Sequence, residues 1–458
     1  MELKEVFKAN DIRGVYGRVL NDKLAYMVGR AIVRYFNCKK IFVGRDMRLS
    51  SPALFKALCK GLVESGIDVI DIGLVDTPSL YYATGRYKKH GIMITASHNP
   101  ANYNGIKIVR AGALAMSKDS GLNEIEEIIK RGEFSVGKKK GKVVRKDISK
   151  EYKNYVLSYV NCMKIRNVKV VVDAGNGMAG KVVPLVYRGL DIKAVPLFFS
   201  LDGRFPNHVP NPILRKNVVD LMRKVKDVKA DLGIAFDGDM DRVAFVDEKG
   251  RFVNTSIIGA LLAQHLLKRS RGKNIGILFT AATSRILRDI VLQNGGKPKL
   301  ERVGHAYMKE RMRKENALFG MEHSAHYYYR NNFHADSGLI TSLLVLEIFS
   351  EAKKKGMKFS DLLSEFDKYS QADEVSIVLK DDENILEKIE RYYSLKGELK
   401  KIYHFDGLFI EFKDYWFSVR KSNTEPLLRI NLEARNRKVM KEKLSEVLRV
   451  VRKNSQRV

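Results

Sequence analysis

Short apolar runs alternate with longer stretches whose apolar positions recur at helical spacing, the arrangement of α/β domains built on largely parallel sheets. Lys40-Ile41-Phe42-Val43-Gly44 reads as a strand, residues 51–65 as a helix and Ile67-Asp68-Val69-Ile70 as the next strand, together one βαβ unit. Strand patterns return at 168–172, at 233–236 with a hairpin-like 243–250, and at 275–279 and 317–320, with helices from Thr255 and after Ser337. Beyond Tyr369 the pattern changes to alternating strands such as 375–379, with helices near 383–395 and 437–452, and predicts a smaller α+β domain.

A charged, glycine-bearing segment at 132–147 sets a first boundary near residue 150. With breaks near 253 and 369 it divides the chain into domains 1–150, 151–253, 254–369 and 370–458. At 458 residues the chain exceeds what one hydrophobic core organises, and clefts between domains are expected.

In three places an apolar strand empties into a polar loop: 92–100, 232–242 and 318–326. Ligands collect at the carboxyl ends of strands in open α/β sheets, so the three loops are expected to serve one site. In the first, Thr95-Ala96-Ser97-His98-Asn99-Pro100, a hydroxyl stands at the centre. Asn104-Gly105-Ile106-Lys107 then reads as a turn dipeptide leading into a second apolar run, whose Lys107 can fold back over Ser97 as a proton carrier. In the second loop Asp237, Asp239 and Asp241 offer hard oxygen ligands at i, i+2 and i+4, which suits Mg²⁺, with an exposed acidic turn as the alternative. Asp237 followed by Asp239 also suits the aspartyl nucleophile of a phosphatase.

In the third loop Glu322 and Ser324 lie two apart and can hydrogen-bond vicinal sugar hydroxyls, with His323 and His326 beside them. His305 is a weaker candidate. Between two late strands, Arg420, Ser422, Asn423, Thr424 and Arg429 gather cations, hydroxyls and an amide that suit a cradle for a phosphate dianion, with a solvated basic turn as the alternative. Arg13 and Arg45 are further candidate phosphate contacts in the first domain.

The 83 Lys and Arg against 53 Asp and Glu give +30, compatible with nucleic acid, anionic lipid or phosphorylated small ligands. Basic residues are interleaved with acidic ones, and only 138–140 and 353–355 form tight runs, which argues against nucleic acid. The apolar stretches 257–267 and 339–349 are interrupted too soon for a membrane span, and the charged N-terminus lacks a secretory signal. Three cysteines without metal spacing fit a reducing cytoplasm.

Taken together, these motifs resemble the α-D-phosphohexomutases, in particular the phosphomannomutase/phosphoglucomutase group. The resemblance spans nearly the whole chain and rests on six motifs in order: 7–14, 95–100, 104–107, 237–242, 322–326 and 420–429. It implies three similar α/β domains plus a fourth, TBP-like α+β domain around a central cleft. It also implies that Ser97 becomes a phosphoserine and that Asp237, Asp239 and Asp241 bind Mg²⁺ with a phosphoserine oxygen. Arg242 would support that phosphate, while Arg13, His98 and Lys107 line the transfer site with Lys107 as general acid/base. Glu322 and Ser324 would hold sugar hydroxyls, and residues 420–429 the phosphate that is not reacting. Asn423 and Ala325 replace glycines found in many relatives and, with Tyr327-Tyr328-Tyr329, lean towards mannose phosphate.

The expected activity is a Mg²⁺-dependent interconversion of hexose 1-phosphate and hexose 6-phosphate through a hexose 1,6-bisphosphate, which also serves as activator. Its partners are small phosphosugars, with no nucleic acid or membrane. The alternatives are a phosphoglucosamine mutase, an aspartate-based sugar phosphatase, or a basic nucleic-acid-binding protein.

Overall fold

The structure is a computed structural model that describes residues 3–134, 137, 139–270, 274–378, 384–397, 399–421 and 427–455. The chain forms two compact units, the first from Met1–Thr255, Lys309–Gly320 and Ser324–Leu362, the second from Ser256–Met308, Met321–His323 and Leu363–Val458. The stretch 254–369 thus contributes to both.

In the first unit a mixed sheet runs in the order Ile12–Val15, Tyr103–Arg110, Gly91–Ile94, Lys40–Arg45, Asp68–Leu74, Val143–Arg145. Gly91–Ile94, Lys40–Arg45, Asp68–Leu74 and Val143–Arg145 are parallel; Tyr103–Arg110 is antiparallel to both its neighbours. Helices Asp22–Phe36 and Ser51–Glu64 bury their leucine, isoleucine and valine faces against this sheet. A second sheet is ordered Phe252–Val253, Val243–Asp247, Leu232–Phe236, Val168–Asp173, Ile192–Leu197. Its last three strands are parallel and the hairpin 243–253 is antiparallel, as the hairpin-like pattern at 243–250 predicts. Helix Gly338–Lys353 is apolar on nearly every side and is correspondingly buried. Ser337 caps it, and its first amide, Gly338, donates to the carbonyl of Met240 at 3.0 Å, which seats the helix start on the aspartate loop.

One expectation fails in a way that matters to the site. Asn104 and Gly105 form no turn; they lie inside strand Tyr103–Arg110. There a side chain on Gly105 would put Cβ 2.7 Å from the carbonyl oxygen of Thr95 and 2.8 Å from that of Ile12. Glycine is therefore present for close strand approach, not for turn geometry. Asn104 spends its amide on the hydroxyls of Ser50 and Ser51, at 2.8 and 3.1 Å.

In the second unit, parallel strands Gly276–Thr280 and Lys297–Glu301 flank helix Arg285–Gln293. The C-terminal part is an antiparallel sheet, Ser370–Gln371, Leu427–Ala434, Tyr415–Lys421, Leu408–Phe412, Leu399–His404, with Val375–Val378 also paired to Leu427–Ala434. Helices Ile385–Ser394 and Arg437–Ser455 cover it through a core that includes Ile389, Tyr393, Phe417, Leu432 and Val447.

Candidate active site

Two strand ends of the first unit build the site. The chain leaves Gly91–Ile94 into the serine loop and Leu232–Phe236 into the aspartate loop. Gly238 allows the loops to touch, since a Cβ there would lie 2.6 Å from the carbonyl oxygen of Ser97. Ser97 is only 2 % exposed and sits at φ +51°, a left-handed conformation that is costly for a serine. Its hydroxyl donates to Oδ2 of Asp237 at 2.7 Å and lies 3.3 Å from Nδ1 of His98.

Asp237, Asp239 and Asp241 are buried and can each offer an oxygen within 4.8 Å of the others. Burial, with Asp241 and Asp239 beside it, pushes the Asp237 carboxyl well above the usual carboxylate range. Burial alone would raise Asp241 as well, but Lys107, His326 and Arg242 hold it well below that range. Lys107, the cross-strand partner of Met93, reaches Oδ2 of Asp239 at 2.9 Å and of Asp241 at 2.7 Å. Against the cost of burial, these carboxylates raise its pKa and keep it an ammonium. Oδ1 of Asp239 and Oδ1 of Asp241 remain buried without a hydrogen-bond partner. Three hard carboxylates with two orphaned oxygens, beside a serine hydroxyl, are a donor set that fits Mg²⁺.

Cations surround the loops. Arg13 donates to Oδ1 of Asn99 at 2.6 Å and pairs with Asp11. Arg242 donates its backbone amide to Oδ1 of Asp237 at 3.1 Å and its Nε–H to Nε2 of His326 at 3.2 Å. The other ring nitrogen of His326, Nδ1, lies 2.8 Å from the hydroxyl of Ser324. His98 is held well below its ordinary pKa by burial and by Arg242 and Arg13, so its imidazole is neutral.

Sequence reasoning missed three groups. Arg45 is occupied by Asp71 at 3.0 Å and by the ring of Phe55; the arginine that grips the serine loop is Arg48. Fully buried, Arg48 donates to the carbonyls of Ser97, Asn99, Pro100 and Tyr103 at 2.7 to 2.9 Å. Thr77, at the start of helix Thr77–Tyr87, donates its hydroxyl to Oδ2 of Asp239 at 2.6 Å. Lys309, 2.8 Å from Oδ1 of Asp336 and over the ring of Tyr81, backs the His326 side. Nothing in the linear spacing singles out any of these, apart from the Asp76-Thr77-Pro78 helix-start signature.

In the second unit Glu322 accepts the amide of Gly304 at 2.8 Å, immediately before His305, the first residue of helix His305–Lys314. Arg420 and Arg429 face each other across strands Tyr415–Lys421 and Leu427–Ala434. Arg429 is bonded to Glu374 at 2.6 Å, whereas Nε of Arg420 is buried without a hydrogen-bond partner. Ser422, Asn423 and Thr424 lie outside the described residues.

Profiles of the phosphoglucomutase/phosphomannomutase family match in order: alpha/beta/alpha domain I over residues 4–136, domain II over 150–250, domain III over 254–369 and the C-terminal domain over 374–450. The chain belongs to this family. It is 38% identical over 463 residues to a phosphomannomutase of Vibrio cholerae, covering 98% of each. It is 35% identical over 439 residues to a phosphoglucomutase of Neisseria meningitidis, covering 94% of this chain and 93% of the relative. Among solved structures it is similar to a phosphoglucomutase/phosphomannomutase family protein from Burkholderia thailandensis, with TM-score 0.88 and 30% identity over 100% of this chain and 99% of that one. This family member is therefore an enzyme, a phosphotransferase of the hexose phosphate mutase kind, with three α/β domains of mixed sheets followed by a C-terminal domain. Among the described residues no helix is long and apolar enough to cross a membrane.

Proposed function

We propose that the enzyme interconverts hexose 1-phosphate and hexose 6-phosphate, with mannose phosphate favoured and glucose phosphate accepted, through a phosphoserine at Ser97 and a hexose 1,6-bisphosphate. The observation that carries this reading is the contact of the Ser97 hydroxyl with Asp237 inside a buried group of three carboxylates. Asp237, Asp239 and Asp241, with an oxygen of phosphorylated Ser97, would hold Mg²⁺. That ion supplies charge neutralisation to the transferring phosphoryl group.

In the forward half-reaction the bond between phosphorus and the Ser97 oxygen breaks as one forms to the free sugar hydroxyl. The hydroxyl proton passes to a neutral base, for which the place of His98 beside Ser97 speaks. The departing serine oxygen takes a proton from the Lys107 ammonium. Arg13 and Arg242 neutralise the phosphoryl oxygens. In the second unit Glu322, with His305, binds sugar hydroxyls, and Arg420 binds the phosphate that is not transferred. We assign Ser324 and His326 to the sugar side as well, and read the domains as 1–150, 151–253, 254–369 and 370–458.

The test is the intact mass before and after incubation with glucose 1,6-bisphosphate and Mg²⁺. A gain of one phosphoryl group is expected, together with mutase activity on mannose and glucose phosphates. Ser97→Ala is expected to lose both, a rate loss of about a thousandfold or more for removal of a covalent carrier. Net phosphate release that persists in Ser97→Ala would instead favour the phosphatase reading through Asp237.

A further inference from the structure

A tight turn of the C-terminal sheet reaches the loop that carries the sugar-binding candidates. Asp406 and Gly407 lie in the turn between strands Leu399–His404 and Leu408–Phe412, with Asp406 at φ +54°, a conformation that short polar side chains tolerate best. Oδ2 of Asp406 accepts the backbone amide of Val303 at 3.0 Å. The next amide, Gly304, goes to Glu322 at 2.8 Å. Two consecutive amides are thus held by carboxylates from two distant chain segments, and the residue that follows is His305.

The same turn rests on the cradle strand. Gly407 sits at φ +115°, and a Cβ on it would come within 2.7 Å of Cβ of Arg420 and 2.6 Å of the carbonyl oxygen of Val419. The arginine is therefore packed directly against the turn. Burial raises the Asp406 carboxyl, while the Val303 amide and the charges of Arg420 and Arg302 act against that rise, so the carboxylate lies within electrostatic reach of the cradle arginine.

From this contact pattern we infer that Asp406 is a positioning residue, which fixes the spacing between the Val303–Gly304–His305 loop with Glu322 and the strand that carries Arg420. The inference rests on the function proposed above, in which Glu322 and His305 meet the sugar and Arg420 meets the non-reacting phosphate. A hexose phosphate has a set distance between its ring hydroxyls and that phosphate. Two binding groups pay off only when they are held at the matching separation, because any ordering left to the substrate is subtracted from its affinity. Asp406 is assigned no contact with the reacting atoms, so its influence falls on binding and not on transfer.

The experiment compares wild type, Asp406→Ala and Asp406→Asn in steady-state assays with hexose 1-phosphate and with hexose 6-phosphate, beside thermal melting and phosphoryl uptake from glucose 1,6-bisphosphate. The alanine variant is expected to raise KM for both sugars about tenfold or more, the scale of one lost charge-assisted hydrogen bond, with kcat within about twofold. Its phosphoryl uptake, melting temperature and the KM of the asparagine variant, which keeps an oxygen for the Val303 amide, are expected near wild type. Unchanged KM in the alanine variant, an asparagine variant as impaired as alanine, or a KM rise that only tracks a fall in melting temperature would each overturn the inference. A wild type that takes up no phosphoryl group and turns over no hexose phosphate would instead overturn the functional reading beneath it.

Discussion

Arg48 shows how much of the serine loop is decided by one side chain. Its guanidinium collects three loop carbonyls and that of Tyr103 and lies over the ring of Phe205 at 4.9 Å, while Asp46 faces it at 3.3 Å. A planar fork of five donors meets several acceptors at once, which an ammonium cannot match in geometry. Arg48→Lys is therefore expected to leave buried carbonyls unpaired, to destabilise by about 2 to 4 kcal/mol and to impair phosphoryl uptake by Ser97. Chemical denaturation and the mass assay check the two effects separately. The residue scale also marks the limit of what the sequence discloses. That Ser97 and the three aspartates come together is legible because each loop follows an apolar strand, whereas Arg45 and Arg48 look alike in a string and only the direction of each side chain separates them. Lys107, expected over the serine, pairs instead with Asp239 and Asp241, carboxylates that stand more than a hundred positions away.

Elements were the easier scale where periodicity was strong and the harder one where a dipeptide carried two meanings. The parallel runs and the 243–250 hairpin emerge where short apolar runs end in turn residues, since strands buried on both faces read as nearly unbroken apolar stretches. Asn-Gly is a turn signal in isolation, yet here it sits mid-strand because Ile12–Val15 and the start of the serine loop close on Gly105 from either side. Tertiary approach overrides local preference at such a position. The consequence can be measured. Gly105→Ala must push apart strand Ile12–Val15 and the carbonyl of Thr95, two residues before Ser97, at a cost of about 1 to 3 kcal/mol. Hydrogen exchange is expected to show faster opening across residues 95–106, with no change in the C-terminal sheet.

At the scale of the whole molecule the charge of +30 does not by itself choose among nucleic acid, anionic lipid and small phosphorylated ligands. Membership of a family that acts on sugar phosphates turns it into an argument about small anions. Excess positive charge has two consequences of opposite sign for added salt. It repels itself in the compact state, so screening stabilises the fold; it also attracts phosphorylated substrates, so screening slows their capture. Raising NaCl from about 0.05 M to about 0.5 M shortens the Debye length from about 14 Å to about 4 Å, enough to weaken both effects together. The melting temperature is thus expected to rise while kcat/KM for hexose phosphates falls, and kcat at saturating substrate stays nearly level because the buried carboxylates and Lys107 are shielded from the solvent ions. A protein whose charge served only solubility would show the first trend without the second. Uncharged solutes at matched osmolarity supply the control, because they change hydration without screening.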